Sequence, residues 1–189
     1  NIGHFSENTL EEYVDRGLAD ISRVEYLLKS LKNFSMFECV NLTNVSFKNY
    51  LKTFLTLAAA DLEQRGIHLL VDSCQELATV SIDPRAMNQV LLNVVANAVD
   101  ALENRPNPEI NISAILRDQL VWLTIKDNGC GISLKQQKHL FQPFNSSKAS
   151  GNGLGLVITR KLLALMDSSI QIESWPDKGT TVTISIPTT

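Results

Sequence analysis

Two glycine-containing stretches combine residue types that could bind a ligand carrying both an amine and a phosphate. The first, residues 127–132, reads DNGCGI and follows a predicted strand. Its carboxylate can accept a hydrogen bond from an exocyclic amine, and its glycines let a ligand approach the backbone closely. An ordinary Asp-Asn-Gly turn is the alternative interpretation of this stretch taken alone.

The second stretch, residues 151–156, reads GNGLGL and opens a predicted helix. Glycines there expose backbone N–H groups, and the helix dipole favours an anion such as a phosphate. Lys148, in the polar loop before it, could add a positive charge. The stretch lacks the ending of a Walker P-loop, and Leu156 stands where the dinucleotide fingerprint needs its last glycine. A mobile surface loop is the alternative.

A row of uncharged amides (Gln89, Asn93 and Asn97), continued by Asp100 and Asn104, lies on a third predicted element, a helix from Asp83 to Leu102. Asn93, Asn97 and Asp100 fall within roughly 60° of one another at 3.6 residues per turn. Asparagine is a poor residue inside a helix because its amide competes for backbone hydrogen bonds. Two of them one turn apart therefore suggest a site, although an amide-rich surface helix would explain them as well.

Hydrophobic periodicity predicts the elements that must hold these residues. The strands cluster as antiparallel pairs with helices between them, which favours an α+β two-layer sandwich whose mixed, mostly antiparallel sheet is covered by helices on one face. After the connector of residues 37–44, the predicted elements are helix Val45–Arg65 ended by Gly66, strands Ile67–Val71 and Thr79–Ile82, helix Asp83–Leu102, strands Ile110–Leu116 and Leu120–Lys126, helix Leu154–Met166, and a hairpin of Ile170–Ser174 with Thr180–Ile186.

A long amphipathic helix is predicted before this sandwich, from Ser6 to Phe37. Its apolar residues recur at spacings of three and four, a heptad seam that one helix cannot bury alone. We therefore expect residues 1–37 to be a helical dimerisation segment and residues 38–189 a separate domain. Packing of the helix on that domain alone is the alternative.

Composition narrows the class of protein. The net charge of −3 gives no electrostatic argument for binding nucleic acid or an anionic membrane. Three widely spaced cysteines without metal-site spacing indicate free thiols in a reducing compartment, so we expect a cytoplasmic location. The chain begins at Asn1 without Met, which suggests a piece of a longer protein that could carry a membrane anchor upstream.

The three motifs, in the order in which the chain carries them (the amide helix, residues 127–132 and residues 151–156), resemble the catalytic ATP-binding domain of sensor histidine kinases, within the larger family of gyrase and the mismatch-repair ATPases. The amide helix is similar to the N box, and residues 127–132 and 151–156 to the two glycine boxes. Residues 140–144 (LFQPF) resemble the phenylalanine-containing box, and residues 179–181 (GTT) match the closing strand motif. The resemblance covers residues 41–187.

This resemblance implies a role for each matching position. Asn97 would bind Mg²⁺ through its amide oxygen, Asn93 would lie near the metal and the phosphates, and Asp127 would bind the adenine amine. The resemblance implies the following catalytic and ATP-binding residues: Asn93, Asn97, Asp100, Asp127, Gly129, Gly131, Ile132, Ser146, Ser147, Lys148, Gly153, Leu154, Gly155, Leu156 and Thr180.

One departure from the family's pattern distinguishes phosphoryl transfer from the hydrolysis of ATP. The hydrolases of the family carry a glutamate one turn before the metal-binding asparagine, as the base that activates water. This chain has Asn93 there, which cannot take a proton. The resemblance therefore favours phosphoryl transfer to a positioned nucleophile over hydrolysis of ATP.

The resemblance implies that the nucleophile is a histidine on a helix that precedes Ser6–Phe37 and is absent from this chain. His4 is the nearest candidate, but Phe5 replaces the acidic neighbour that would activate the ring. We therefore expect a fragment that binds Mg²⁺–ATP without phosphorylating itself. Its expected partners are a second copy through the N-terminal helix, the histidine-bearing helix, and the receiver domain of a response regulator.

Other functions use the same pocket. A non-catalytic module that closes on ATP and signals through the helix is the first alternative, and a serine kinase of the anti-sigma type is the second. A gyrase-like ATPase is the least favoured, because Asn93 replaces the base.

Overall fold

The computed structural model describes residues 13–18, 21, 39–73, 78–143 and 153–189. Among the described residues from 39 onward there are seven strands and four helices. The strands are β1 (Thr43–Ser46), β2 (His68–Ser73), β3 (Thr79–Ile82), β4 (Glu109–Arg117), β5 (Leu120–Asp127), β6 (Ser169–Trp175) and β7 (Gly179–Pro187). The helices are α1 (Phe47–Gln64), α2 (Pro84–Ala101), α3 (Leu134–Gln137) and α4 (Gly155–Ala164).

Five strands form the main sheet in the order β2-β4-β5-β7-β6. The β2–β4 pair is parallel, and the other three pairs are antiparallel. Along β5 and β7, alternate apolar side chains are buried, and they face the layer formed by α1, α2 and α4. The predicted α+β class and the mostly antiparallel, mixed sheet are confirmed.

Helix α2 begins and ends as its sequence predicts. The Asp83 carboxylate caps the helix by accepting hydrogen bonds from the backbone N–H of Arg85 (2.9 Å) and Ala86 (3.4 Å), and Pro84 occupies the first turn. Met87 and Leu91, in the middle of its apolar stripe, are fully buried. The opposite edge of the helix carries the amide row.

The helix predicted to start at Val45 is α1, and this predicted start is wrong by two residues because α1 begins at Phe47. Val45 and Ser46 belong to β1, and Val45 pairs with Val80 of β3 in a separate two-stranded sheet. A strand of four residues is too short for its alternation to stand out from the adjoining helix period. Short α3 was not predicted for the same reason.

Backbone conformations at the turns agree with the predicted chain reversals. Gly66 takes a φ of +69° directly after α1, as a glycine that ends a helix does. Asp118 and Gln119 both have positive φ, 52° and 58°, which is the turn geometry that joins β4 tightly to β5.

Most of the predicted N-terminal helix lies outside the described residues, as does His4. Residues 13–18 and 21 are helical, and the apolar side chains of Tyr13, Val14, Leu18 and Ile21 are exposed. The dimerisation role of this segment and the boundary at residue 37 remain predictions. Across the described ranges, no helix is long and apolar enough to cross a membrane.

Candidate functional site

Asp127 is the buried polar residue at the end of β5, with 5% of its surface exposed. Its Oδ1 accepts hydrogen bonds from the backbone N–H of Gly129 (2.8 Å) and Thr180 (3.2 Å). Burial raises the pKa of this carboxyl, and the two hydrogen bonds oppose that rise. Because both bonds end on Oδ1, the orientation of the carboxylate is fixed while Oδ2 can accept from a ligand.

The loop after Asp127 must be glycine at two points of close backbone contact. A Cβ on Gly129 would lie 2.6 Å from the carbonyl oxygen of Ala101, the last residue of α2. Gly131 has a φ of +67°, and a Cβ there would collide with the carbonyl oxygen of Trp175. The same loop is tied to α2 by a hydrogen bond of 2.9 Å from Cys130 N–H to the Ala101 carbonyl. The end of α2 therefore touches this loop directly.

A buried hydroxyl pair supports the loop from the β6–β7 hairpin. Ser174 Oγ accepts from the Ile132 N–H at 2.8 Å and lies 2.9 Å from Thr180 Oγ1. Gln137 Nε2 donates to the carbonyl oxygens of Ile132 (2.7 Å) and Ser174 (2.8 Å). These bonds join α3 to the hairpin and hold the DNGCGI loop from its far side.

The amide row meets the second glycine stretch at Asn93. Its Nδ2 donates to the carbonyl oxygen of Gly155 (3.1 Å) and to Thr159 Oγ1 (3.3 Å), both on α4. Helices α2 and α4 therefore contact each other at the residues that the sequence singles out. Asn93 is half-buried, whereas Asn97 and Asp100 are exposed on the same helix.

The start of α4 suits an anion. Gly153 has a φ of +66°, and Leu154 at the N-cap position has no side-chain acceptor for the first helical N–H groups. Such N–H groups can bind a phosphate. Gly155 and Leu156 form the first turn. The predicted site residues Ser146, Ser147 and Lys148 lie outside the described residues.

The chemistry of the donors on α2 fits Mg²⁺ bound together with a phosphate. Asn97 and Asp100 offer an amide and a carboxylate oxygen on an exposed face, and Mg²⁺ in such sites takes few protein ligands plus phosphates and water. Within the described ranges, no cluster of three or more His, Cys, Asp or Glu side chains could hold a metal by itself.

Several supporting residues were not recognised from the sequence. Ser174, Gln137 and Thr159 make the hydrogen bonds described above, yet none belongs to a recognised motif. Ser174 and Thr159 are polar residues at inward positions of apolar elements, and this signal in the sequence could have found them. Gln137 is half-buried on a four-residue helix and gives no such signal.

Residues 82–189 match the family described as histidine kinase-, DNA gyrase B-, and HSP90-like ATPases. That range includes Asp127, the amide row and both glycine stretches. The chain belongs to this family. It is 31% identical to the signal transduction histidine-protein kinase AtoS of Escherichia coli (strain K12) over 177 residues, which cover 94% of this chain and 29% of AtoS. The chain thus spans less than a third of that relative.

Two solved structures share the fold. Full-length ShkA in complex with AMPPNP aligns with a TM-score of 0.75 and 21% identity, covering 99% of this chain and 41% of that chain. Histidine kinase ThkA in complex with response regulator protein TrrA aligns with a TM-score of 0.74 and 22% identity, covering 98% of this chain and 53% of that chain.

Proposed function

We propose that this chain is the ATP-binding part of a two-component sensor histidine kinase. The observation that carries the proposal is the Asp127 carboxylate, buried at the end of β5 with Oδ1 held by two backbone N–H groups. Such a carboxylate can select an exocyclic amine by accepting its hydrogen on Oδ2. Gly129, Gly131, Ile132 and Thr180 would surround the base.

Phosphates would bind where α2 meets α4. Backbone N–H groups of Gly153, Leu154, Gly155 and Leu156 would bind the phosphate oxygens at the start of α4, and Ser146, Ser147 and Lys148 would belong to the segment that covers them. Asn97 would hold Mg²⁺, with Asp100 beside it. When bound, Mg²⁺ neutralises charge on the phosphate oxygens.

The reaction proposed for the whole kinase is transfer rather than hydrolysis. The β–γ P–O bond of ATP breaks, a P–N bond forms to a histidine nitrogen, and ADP and the imidazole proton leave. Asn93 donates both hydrogens to α4 and cannot serve as a base for water. The histidine would come from a helix outside this chain, and an aspartate of a response regulator receiver domain would then receive the phosphoryl group.

The likeness to AtoS and to ThkA bound to its regulator supports these partners. We further propose that the chain forms a homodimer through its N-terminal helix, whose described residues expose apolar side chains. Because ATP and receiver domains are cytoplasmic, this part of the kinase would lie in the cytoplasm, with any membrane anchor upstream.

The test mixes the chain with radiolabelled Mg²⁺–ATP, with and without a separately prepared histidine-bearing helical hairpin from a homologous kinase. We expect acid-labile label on the hairpin and none on the chain alone. ATP binding without transfer would instead indicate a nucleotide-responsive module, acid-stable label on serine a serine kinase, and free phosphate an ATPase. The Asp127→Asn variant should leave the hairpin unlabelled, and Asp118→Asn, in the exposed β4–β5 turn, is its matched control.

A further inference from the structure

We propose that Gln89 and Thr159 are positioning residues, which act through Asn93 to fix the start of α4 against the metal-side face of α2. The inference deepens the proposed function and rests on it. It concerns two side chains for which the sequence motifs imply no role: Gln89, the first residue of the amide row, and Thr159. Neither residue needs to touch the nucleotide.

The first observation is the pair of hydrogen bonds that Asn93 donates to α4. Gly155 O (3.1 Å) and Thr159 Oγ1 (3.3 Å) lie one turn apart on the same side of that helix. Thr159 has no exposed surface, so its hydroxyl has no water to replace Asn93. A Cβ built on Gly155 would lie 3.9 Å from Asn93 Cγ, which shows how closely the amide approaches the backbone at the helix start.

The second observation fixes the orientation of that amide. Gln89 Nε2 donates to Asn93 Oδ1 at 2.9 Å, one turn earlier on α2. The Gly155 carbonyl oxygen can only accept, so it sets the Asn93 amide with Nδ2 towards α4, and Gln89 Nε2 then satisfies Oδ1 on the other side. Gln89 therefore stabilises the Asn93 amide in the orientation that points both N–H bonds at α4.

These contacts matter because the two halves of the proposed phosphate site lie on different helices. The phosphate-binding N–H groups start α4, while Asn97 lies on α2 one turn beyond Asn93. Apolar packing favours certain helix crossing angles with a scatter of roughly 15–20°. Two hydrogen bonds from one amide to adjacent turns are directional and restrict the register of the two helices further. The hydrogen bonds of Asn93 would thus hold the phosphate site in its binding geometry before the nucleotide arrives.

The test compares affinity for AMPPNP with Mg²⁺ and for adenosine, measured by calorimetry. Thr159→Val removes the hydroxyl with little change of shape, and we expect about a tenfold loss of AMPPNP affinity with adenosine affinity unchanged. Thr159→Ser keeps the hydroxyl and should restore AMPPNP affinity. Thr53→Val is the matched control, because Thr53 Oγ1 bonds only a carbonyl on α1 (3.0 Å).

Gln89→Leu provides a second route if Thr159→Val does not fold, since Gln89 is only half-buried. It should also weaken AMPPNP more than adenosine. Unchanged AMPPNP affinity in the folded variants, or an equal loss for both ligands, would overturn the positioning role. If the unaltered chain binds neither ligand, the proposed function itself is wrong, and this outcome is distinct from a failure of the positioning role alone.

Discussion

Replacing Asp127 with asparagine separates ligand recognition from stability. Two backbone N–H groups, of Gly129 and Thr180, point at Oδ1. The amide of the Asp127→Asn variant should therefore keep its oxygen at that position and turn its NH₂ group to the position of Oδ2. A donor would then face the donor of the adenine amine. The variant should lose the hydrogen bond that selects the base.

The magnitude follows from the charge on the acceptor. A hydrogen bond to a charged group contributes about 1.5–3 kcal/mol, which corresponds to roughly a 10- to 150-fold loss of affinity. We expect ATP affinity to fall within or beyond that range, because the facing donors add to the loss. Calorimetric titration with AMPPNP and Mg²⁺ measures it, and Asp118→Asn should bind normally.

The same substitution should leave the fold intact or make it more stable. Burial raises the pKa of Asp127, so the folded protein holds this proton more tightly than the unfolded chain does. The stability that this group contributes is therefore present below the unfolded pKa of about 3.9 and is lost as pH rises through the folded pKa. At pH 7 the variant no longer has to bury a carboxylate. Chemical denaturation of both proteins at pH 5 and pH 7 would test whether the variant gains stability relative to the unaltered chain as the pH rises.

Inosine triphosphate supplies the sharpest control, because it carries an acceptor oxygen where ATP carries the amine. The unaltered chain should prefer ATP, and Asp127→Asn should narrow or reverse that preference. Unchanged ATP affinity in the variant, or no preference in the unaltered chain, would refute the assignment of Asp127 to the base.

Three further predictions concern the surrounding elements. Asn97→Ala should abolish the increase in ATP affinity that Mg²⁺ produces, measured by titration with and without the metal, while leaving adenosine binding unchanged. Burial works to raise the pKa of Asp83, but hydrogen bonds, the first from Asn41 N–H, outweigh it and lower the pKa. The stabilisation by this carboxylate is therefore present above about pH 4 and is lost on further acidification. Asp83→Ala should lower the free energy of unfolding in urea by about 1–2 kcal/mol at pH 7. Gly131→Ala should destabilise more than Gly66→Ala in thermal unfolding, because both have φ near +68° but only Gly131 faces backbone atoms; equal losses would contradict the steric argument.

Sequence reasoning succeeded where one element supplies its own signal. The cap at Asp83, the stripe of α2 and the alternation of β5 are local patterns, and the structure confirms all three. It failed for β1, because four residues are too few to establish a period before α1 begins.

The candidate site divides in the same way. The motif residues Asp127 and Asn93 could be recognised by type and spacing, but their partners come from distant parts of the chain. Thr180 lies 53 residues from Asp127, and Thr159 lies 66 residues from Asn93. No periodicity reports such contacts, since sheet register and helix packing create them. The roles of individual site residues therefore remain predictions for the experiments above.

The position of β7 in the sheet sets the order of events during synthesis. β7 follows the other six strands in the chain, yet it lies between β5 and β6. Until residue 187 has left the ribosome, β5 has an open edge and Asp127 lacks the Thr180 N–H that orients it. A nascent chain should therefore gain ATP affinity only when this strand is inserted. Non-local pairing of this kind forms slowly, so β5 keeps an unpaired edge during that interval.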